Sequence, residues 1–253
     1  MPNPSADEAP PRRTVPRAGP VRGIPGLLSV ALVGSCLTLT AALTDGAMEH
    51  SDLAAHDPTV TDWLVHSRTP ALDVAAQVVT AVGSEPAVGL LTVLAVAWLV
   101  RVKRAYSSAV LLAGSMAVAA VVSIGLKHLV GRVRPPAGDV LGPVDSGFSF
   151  PSGHTLFSTV FFGVVAGLLL THLRGRAARV LVVVGWLGAS AAVGASRLYL
   201  GYHWLTDVLA SYALAVVILV AGATAARAFH RQGSRAARRT RGVDVDAIAG
   251  AGS

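Results

Sequence analysis

Ser196-Arg197-Leu198-Tyr199-Leu200-Gly201-Tyr202-His203-Trp204-Leu205-Thr206-Asp207 lies at the junction of two apolar segments, residues 180–198 and 204–226. Each is long enough to cross a bilayer. Charge is expensive in such surroundings, yet these twelve residues hold an arginine, a histidine and an aspartate. Arg197 stands six residues before His203, and Asp207 four after it. If a helix starts near His203, positions i and i+4 share a face and the carboxylate can reach the imidazole. A carboxylate on one ring nitrogen fixes the tautomer and frees the other nitrogen to attack or to carry a proton. A guanidinium nearby suits an oxyanion such as a phosphate. The same residues read equally as an ion-pair cluster anchoring a helix end. The rest of the chain decides.

The chain has 253 residues, of which 53% are hydrophobic and only 14% charged. That balance excludes an ordinary soluble domain and predicts an all-α, polytopic membrane protein. The formal charge of +7 does not imply nucleic-acid binding, because the basic residues fall in short clusters between apolar runs. The single cysteine, Cys36, lies inside the first apolar run and offers neither a disulfide nor a metal site. With no CxxC or HExxH pattern and no clustered carboxylates, no metal or other cofactor is expected. The Ala/Arg/Val-rich, nearly Asn-free composition suggests a GC-rich bacterial source.

Residues 1–23 are Pro- and Arg-rich, without apolar periodicity, and read as a disordered tail. Residues 24–228 hold six expected spans: 24–44, 82–100, 108–126, 155–172, 180–198 and 204–226. The first run is too long for the apolar core of a cleavable signal peptide, which favours a retained span. Between spans 1 and 2, Asp57-Pro58 followed by residues 59–66 predicts a short helix lying on the surface, with a second interfacial helix from Ala71. Residues 229–253 read as a basic, disordered tail. Six spans put both termini, the 2–3 loop and the 4–5 loop on one side. Those segments hold sixteen of the 21 Lys and Arg residues, so they are expected to be cytoplasmic, in a multi-pass plasma-membrane protein. Arg68, Lys127, Arg132, Arg134 and Arg197 fall on the other side. For Arg68 and Arg132 the expectation is snorkelling to lipid headgroups.

The remaining three cations join a pattern. Lys127 ends span 3 and Arg134 follows it; Pro151-Ser152-Gly153-His154 opens span 4; Arg197 ends span 5; His203 and Asp207 open span 6. All are therefore expected at one membrane face. Lys127 through Arg134-Pro135 fits KxxxxxxRP, residues 151–154 fit PSGH, and Ser196 through Asp207 fits SRxxxxxHxxxD. In these three motifs the sequence resembles the type 2 phosphatidic acid phosphatase (PAP2) superfamily, over roughly residues 60–225.

The resemblance implies a six-helix membrane phosphatase that needs no metal. Lys127, Arg134 and Arg197 would cradle the phosphate, since phosphoryl transfer is mostly positioning and electrostatic stabilisation. Gly153 would let the backbone approach it at a helix N-terminus, and the Ser152 hydroxyl would donate to it. His203 would form a phosphohistidine, oriented by Asp207, while His154 would protonate the leaving group and then activate water. His128 and Tyr202 are candidate pocket neighbours. An outward-facing site at headgroup depth suits a lipid substrate from the bilayer. By analogy the candidates are a polyprenyl diphosphate such as undecaprenyl diphosphate, phosphatidic acid, or phosphatidylglycerol phosphate. Three rivals remain: a lipid phosphotransferase using the same site, whose sequence could look identical, a non-catalytic lipid-phosphate-binding homologue, and a vanadium haloperoxidase. The apolar spans count against the last.

Overall fold

The computed structural model describes residues 26–250, with side chains through residue 229; the expected N-terminal tail lies outside them. Among the described residues there are eight α-helices. They are α1 Gly26–Glu49, α2 Asp57–His66, α3 Pro70–Val82, α4 Glu85–Arg101, α5 Tyr106–Val130, α6 Gly153–His172, α7 Arg176–Tyr199 and α8 Leu205–Gly250. Short 3₁₀ turns cover Asp52–His56 and Ala137–Asp139. Five helices (α1, α5, α6, α7 and Leu205–Phe229 of α8) are long and apolar enough to span a bilayer. The pair α3 and α4, bent by 43° at their junction, passes the same test of length and apolarity only when taken together, and counts as a sixth span if the two are one. The α8 backbone stays helical through Gly250, past the tail boundary expected at residue 229.

Local chemistry explains the bend. Thr69 and Ser84 cap α3 and α4 by accepting the backbone N–H groups of Leu72 and Ala87, and each helix carries proline in its first turn. Two fresh helix starts fifteen residues apart cannot form one straight rod. At the break, Gly83 packs directly on Val193 of α7, where a side chain would clash.

The bundle is built around α6. Its Leu156, Val160 and Val164 recur every four residues and are buried against Val88 of α4, Leu112 and Ala119 of α5, and Leu214 and Ile218 of α8. Large apolar side chains such as Val30, Val93, Val121 and Leu181 point outward instead. An aqueous protein would bury them, whereas a helix in lipid has no reason to. Because α5, α6, α7 and α8 pack as consecutive neighbours, the C-termini of α5 and α7 and the N-termini of α6 and α8 meet at one end.

Candidate active site

The site grows from the start of α8. Gly201 turns the chain out of α7 with φ of 77°, and a Cβ there would overlap Asp139 O, so only glycine fits. His203 follows in the turn, just before the helix. Asp207, third residue of α8, reaches back to accept the Trp204 N–H at 3.0 Å, as the acidic half of a capping box does. The same oxygen, Oδ2, accepts from Ser149 Oγ at 2.6 Å and faces His203 Nδ1 at 3.2 Å. Its other oxygen accepts from Arg132 Nη1 at 2.7 Å. With four donors around it, this buried carboxyl serves as an ionised acceptor.

The tautomer of His203 follows from its two neighbours. Arg134 Nη1 lies 3.3 Å from Nε2, and a guanidinium can only donate. Nε2 is thus the acceptor, and the proton sits on Nδ1, donated to Asp207. Burial pushes the His203 pKa down to about 4, with Arg197 and Arg134 adding to the effect and Asp207 opposing it. The imidazole is neutral at neutral pH, with a lone pair aimed at the cationic side.

Behind Asp207 stands a dry ion-pair chain. Arg132 donates to Asp207 and, through Nη2, to Asp57 Oδ2 at 2.7 Å; the arginine and both acids are almost wholly buried. Asp57 also accepts the Thr206 backbone N–H at 3.1 Å, capping α8 from α2. Arg132 was expected to snorkel to headgroups, and it does not: two buried carboxylates hold it inward. Arg68 departs from the same expectation. Its guanidinium donates to the carbonyls of Tyr199 and Asp139, tying the end of α7 to the loop between α5 and α6.

The cationic half is more open. Arg197 is buried, donates to Thr80 Oγ1 of α3 at 3.0 Å and to Asp145 Oδ2 at 2.5 Å, and lies 3.9 Å over the Tyr202 ring. Its Nε is buried without a partner among the described residues. Arg134 sits 3.6 Å from the same Asp145 oxygen and donates to Gly147 O and Tyr202 O. Lys127 Nζ donates to Phe148 O at 2.9 Å, within range of the charges on Arg134, Glu85, Asp207 and Asp145. His154, in the first turn of α6, feels Arg197, His203, Asp145 and Arg134. Beside Arg134 and Asp145 a cavity of about 480 Å³ opens under the loop, also lined by Val144, Phe148 and Tyr202.

The eight residues singled out in the sequence thus lie at one end of the bundle, five of them in these contacts and His154 within range of their charges. Gly153 and Ser152 have neighbours that the motif does not announce. A Cβ on Gly153 would overlap the Glu85 carboxylate, so the glycine makes room for an acid from α4. Ser152 is fully buried, with Oγ 3.0 Å from Thr155 Oγ1 and its carbonyl accepting from Ser211. His128 is exposed and meets Phe148 edge-on, whereas Tyr202 does border the site. Arg132, Asp57, Asp145, Ser149, Thr80 and Glu85 escaped sequence reasoning. For Arg132 the available signal was a charge against the topogenic rule, only two residues from Arg134.

The chain is similar to known proteins. Phosphatidylglycerophosphatase B of Bacillus subtilis (strain 168) is 37% identical over 94 residues, 37% of this chain and 45% of that protein. Phosphatidylglycerophosphatase B of Escherichia coli (strain K12) is 40% identical over 77 residues, 29% of this chain and 28% of that one. The chain therefore spans less than half the length of these curated relatives. The crystal structure described as the first transmembrane PAP2 type phosphatidylglycerolphosphate phosphatase, from Bacillus subtilis, superimposes with a TM-score of 0.66 at 26% identity. That superposition covers 81% of this chain and 96% of that one. Residues 108–231, which carry all three motifs and make up just under half of the chain, match the PAP2 superfamily.

Proposed function

We propose that the protein is an integral membrane phosphatase that hydrolyses a lipid phosphate monoester or diphosphate through a phosphohistidine on His203. The observation that carries this reading is the orientation of His203: Nδ1 on Asp207, Nε2 facing Arg134, and the ring neutral. A bare ion-pair anchor has no need for a buried, uncharged imidazole aimed at guanidinium groups.

In the first step the Nε2 lone pair attacks phosphorus as the bond to the lipid oxygen breaks, and His154 gives that oxygen a proton. Lys127, Arg134 and Arg197 hold the non-bridging oxygens, with backbone N–H groups at the start of α6 as further donors. Asp207 stabilises the charge that the phosphorylated ring acquires. In the second step water loses a proton to His154 and attacks phosphorus. The N–P bond then breaks and inorganic phosphate leaves. Every charge the transfer needs comes from a side chain, so turnover should persist in millimolar EDTA. Activity lost in EDTA and restored by Mg²⁺ would contradict this.

The apolar spans and the superfamily both favour a lipid substrate. A polyprenyl diphosphate such as undecaprenyl diphosphate comes first, then phosphatidic acid and phosphatidylglycerol phosphate; the named relatives support the last. The basic loops favour cytoplasmic termini and a site facing out of the cytoplasm. The test is phosphate release from a panel of lipid mono- and diphosphates in detergent, beside His203→Ala. Release that depends on His203 supports the reading. No release from any lipid, with the variant indistinguishable, points to a non-catalytic binding protein. A phosphorylated lipid acceptor in place of free phosphate points to a phosphotransferase.

A further inference from the structure

We propose that Asp145 is a specificity-determining residue: its carboxylate sits where a phosphate would sit, between Arg197 and Arg134, and yields only to a terminal, dianionic phosphate. The proposal rests on the reading of the site as a phosphate cradle. It names a residue outside the three motifs, and the catalytic steps above do not use it.

Asp145 Oδ2 contacts both Arg197 Nη2, at 2.5 Å, and Arg134 Nη1, at 3.6 Å. That same Arg134 nitrogen is 3.3 Å from His203 Nε2. Carboxylate and nucleophile therefore flank one N–H group, and an anion about to be attacked needs that place. Exposure sets Asp145 apart from the two acids of the ion-pair chain. Its side chain is 38% exposed, against 1% for Asp57 and 0% for Asp207, while Arg197 beneath it is 3% exposed. Asp145 approaches from the open side, on the loop that roofs the 480 Å³ cavity, and it can swing into water. The arginines cannot follow it. Arg197 Nε, buried and unpartnered, is a donor that the carboxylate leaves unused.

The chemistry selects by charge. A cationic cradle at headgroup depth is bathed in phosphodiester lipids, each carrying one negative charge and two free oxygens. Exchanging one monoanion for another gains little Coulomb energy, whereas a phosphate monoester near −2 gains substantially. Asp145 thereby keeps bulk phospholipid out of a site built to hold phosphate.

The experiment compares wild type with Asp145→Asn and Asp145→Ala in detergent. Asp62→Asn, the same charge change on the exposed face of α2, is the control. Calorimetry measures the binding of tungstate, a tetrahedral dianion; lipid-phosphate hydrolysis is then assayed in mixed micelles with increasing dioleoylphosphatidylglycerol. Both Asp145 variants should bind tungstate about tenfold more tightly. They should also be inhibited by the diester at surface fractions that leave wild type and Asp62→Asn unaffected. Unchanged tungstate affinity would overturn the proposal. So would weaker binding, which would mean that Asp145 merely holds Arg197 in place. Tungstate binding needs no turnover, so the two readings fail separately. Tighter binding without hydrolysis by any form sinks the phosphatase reading alone. Hydrolysis by wild type with unaltered binding in the variants sinks only the role of Asp145.

Discussion

The two halves of this site are built on opposite plans. On one side Asp57, Arg132, Asp207, Ser149 and His203 form a closed chain, almost wholly buried, in which both carboxylates and the guanidinium between them are fully engaged. On the other side Arg134 and Lys127 lean on backbone carbonyls of the loop, and Arg134 and Arg197 share one partly exposed carboxylate, Asp145. The closed half fixes geometry before any substrate arrives, so the imidazole needs no reorganisation. The open half keeps its positive charge available for an incoming anion. Preorganisation and vacancy for charge are separate requirements of phosphoryl transfer, and here different residues meet them.

Removing the group where the halves meet should cost most. His203→Ala should lower lipid-phosphate turnover on the order of 10⁴-fold or more, as loss of a covalent nucleophile does; a steady-state phosphate-release assay reads this directly. Breaking the closed half should cost stability as well as rate. Arg132→Met strands two buried carboxylates, and removing one member of a buried ion pair typically costs about 3–5 kcal/mol. A marked fall in the midpoint of thermal unfolding in detergent is expected, and an unchanged midpoint would show that the chain is not structural. Breaking the open half should spare the fold and hit catalysis. Arg197→Ala removes one oxyanion donor, so turnover should fall about 10²–10³-fold while the unfolding midpoint moves little.

The smallest effect sharpens the comparison through pH. His203 titrates near 4 in the folded protein against 6.5 for the ordinary imidazole, so below 6.5 the unfolded chain takes up the proton more readily. Its contribution to stability is complete above pH 6.5 and is lost as pH falls toward 4. Unfolding midpoints measured across that window should drop for wild type, and less steeply for His203→Asn. Parallel curves would place His203 outside the dry half.

Much of the fold was legible because the bilayer simplifies the grammar. Uninterrupted apolar runs announced α1, α5, α6, α7 and α8, while the second span, expected from residue 82, takes in the end of α3 and begins its new helix only at Glu85. The open half was legible too, since Lys127, Arg134 and Arg197 break the positive-inside pattern at motif spacings. The closed half was not. Arg132 finds Asp57 and Asp207 each 75 residues away in sequence, across contacts set by how α2 and the loop after α5 are routed. Neither a period nor a local motif encodes that meeting, and in isolation Arg132 looks like any headgroup arginine. Asp145 was hidden for a related reason. An acid in a Gly- and Pro-bearing loop reads as solvated until the loop is seen folded over two arginines. Glu85 likewise reads only as a charge inside an apolar stretch until the start of α6 is seen against it.

The central claim is that the imidazole fixed by the closed half attacks the phosphate held by the open half. Rapid acid-free quenching of the enzyme mixed with ³²P-labelled lipid phosphate, followed by peptide mapping, tests it most directly. The account predicts a label that survives alkali, is lost in acid, maps to His203, and is missing from His203→Ala. Phosphate released at the wild-type rate with no labelled protein, or with the label on another residue, would contradict it.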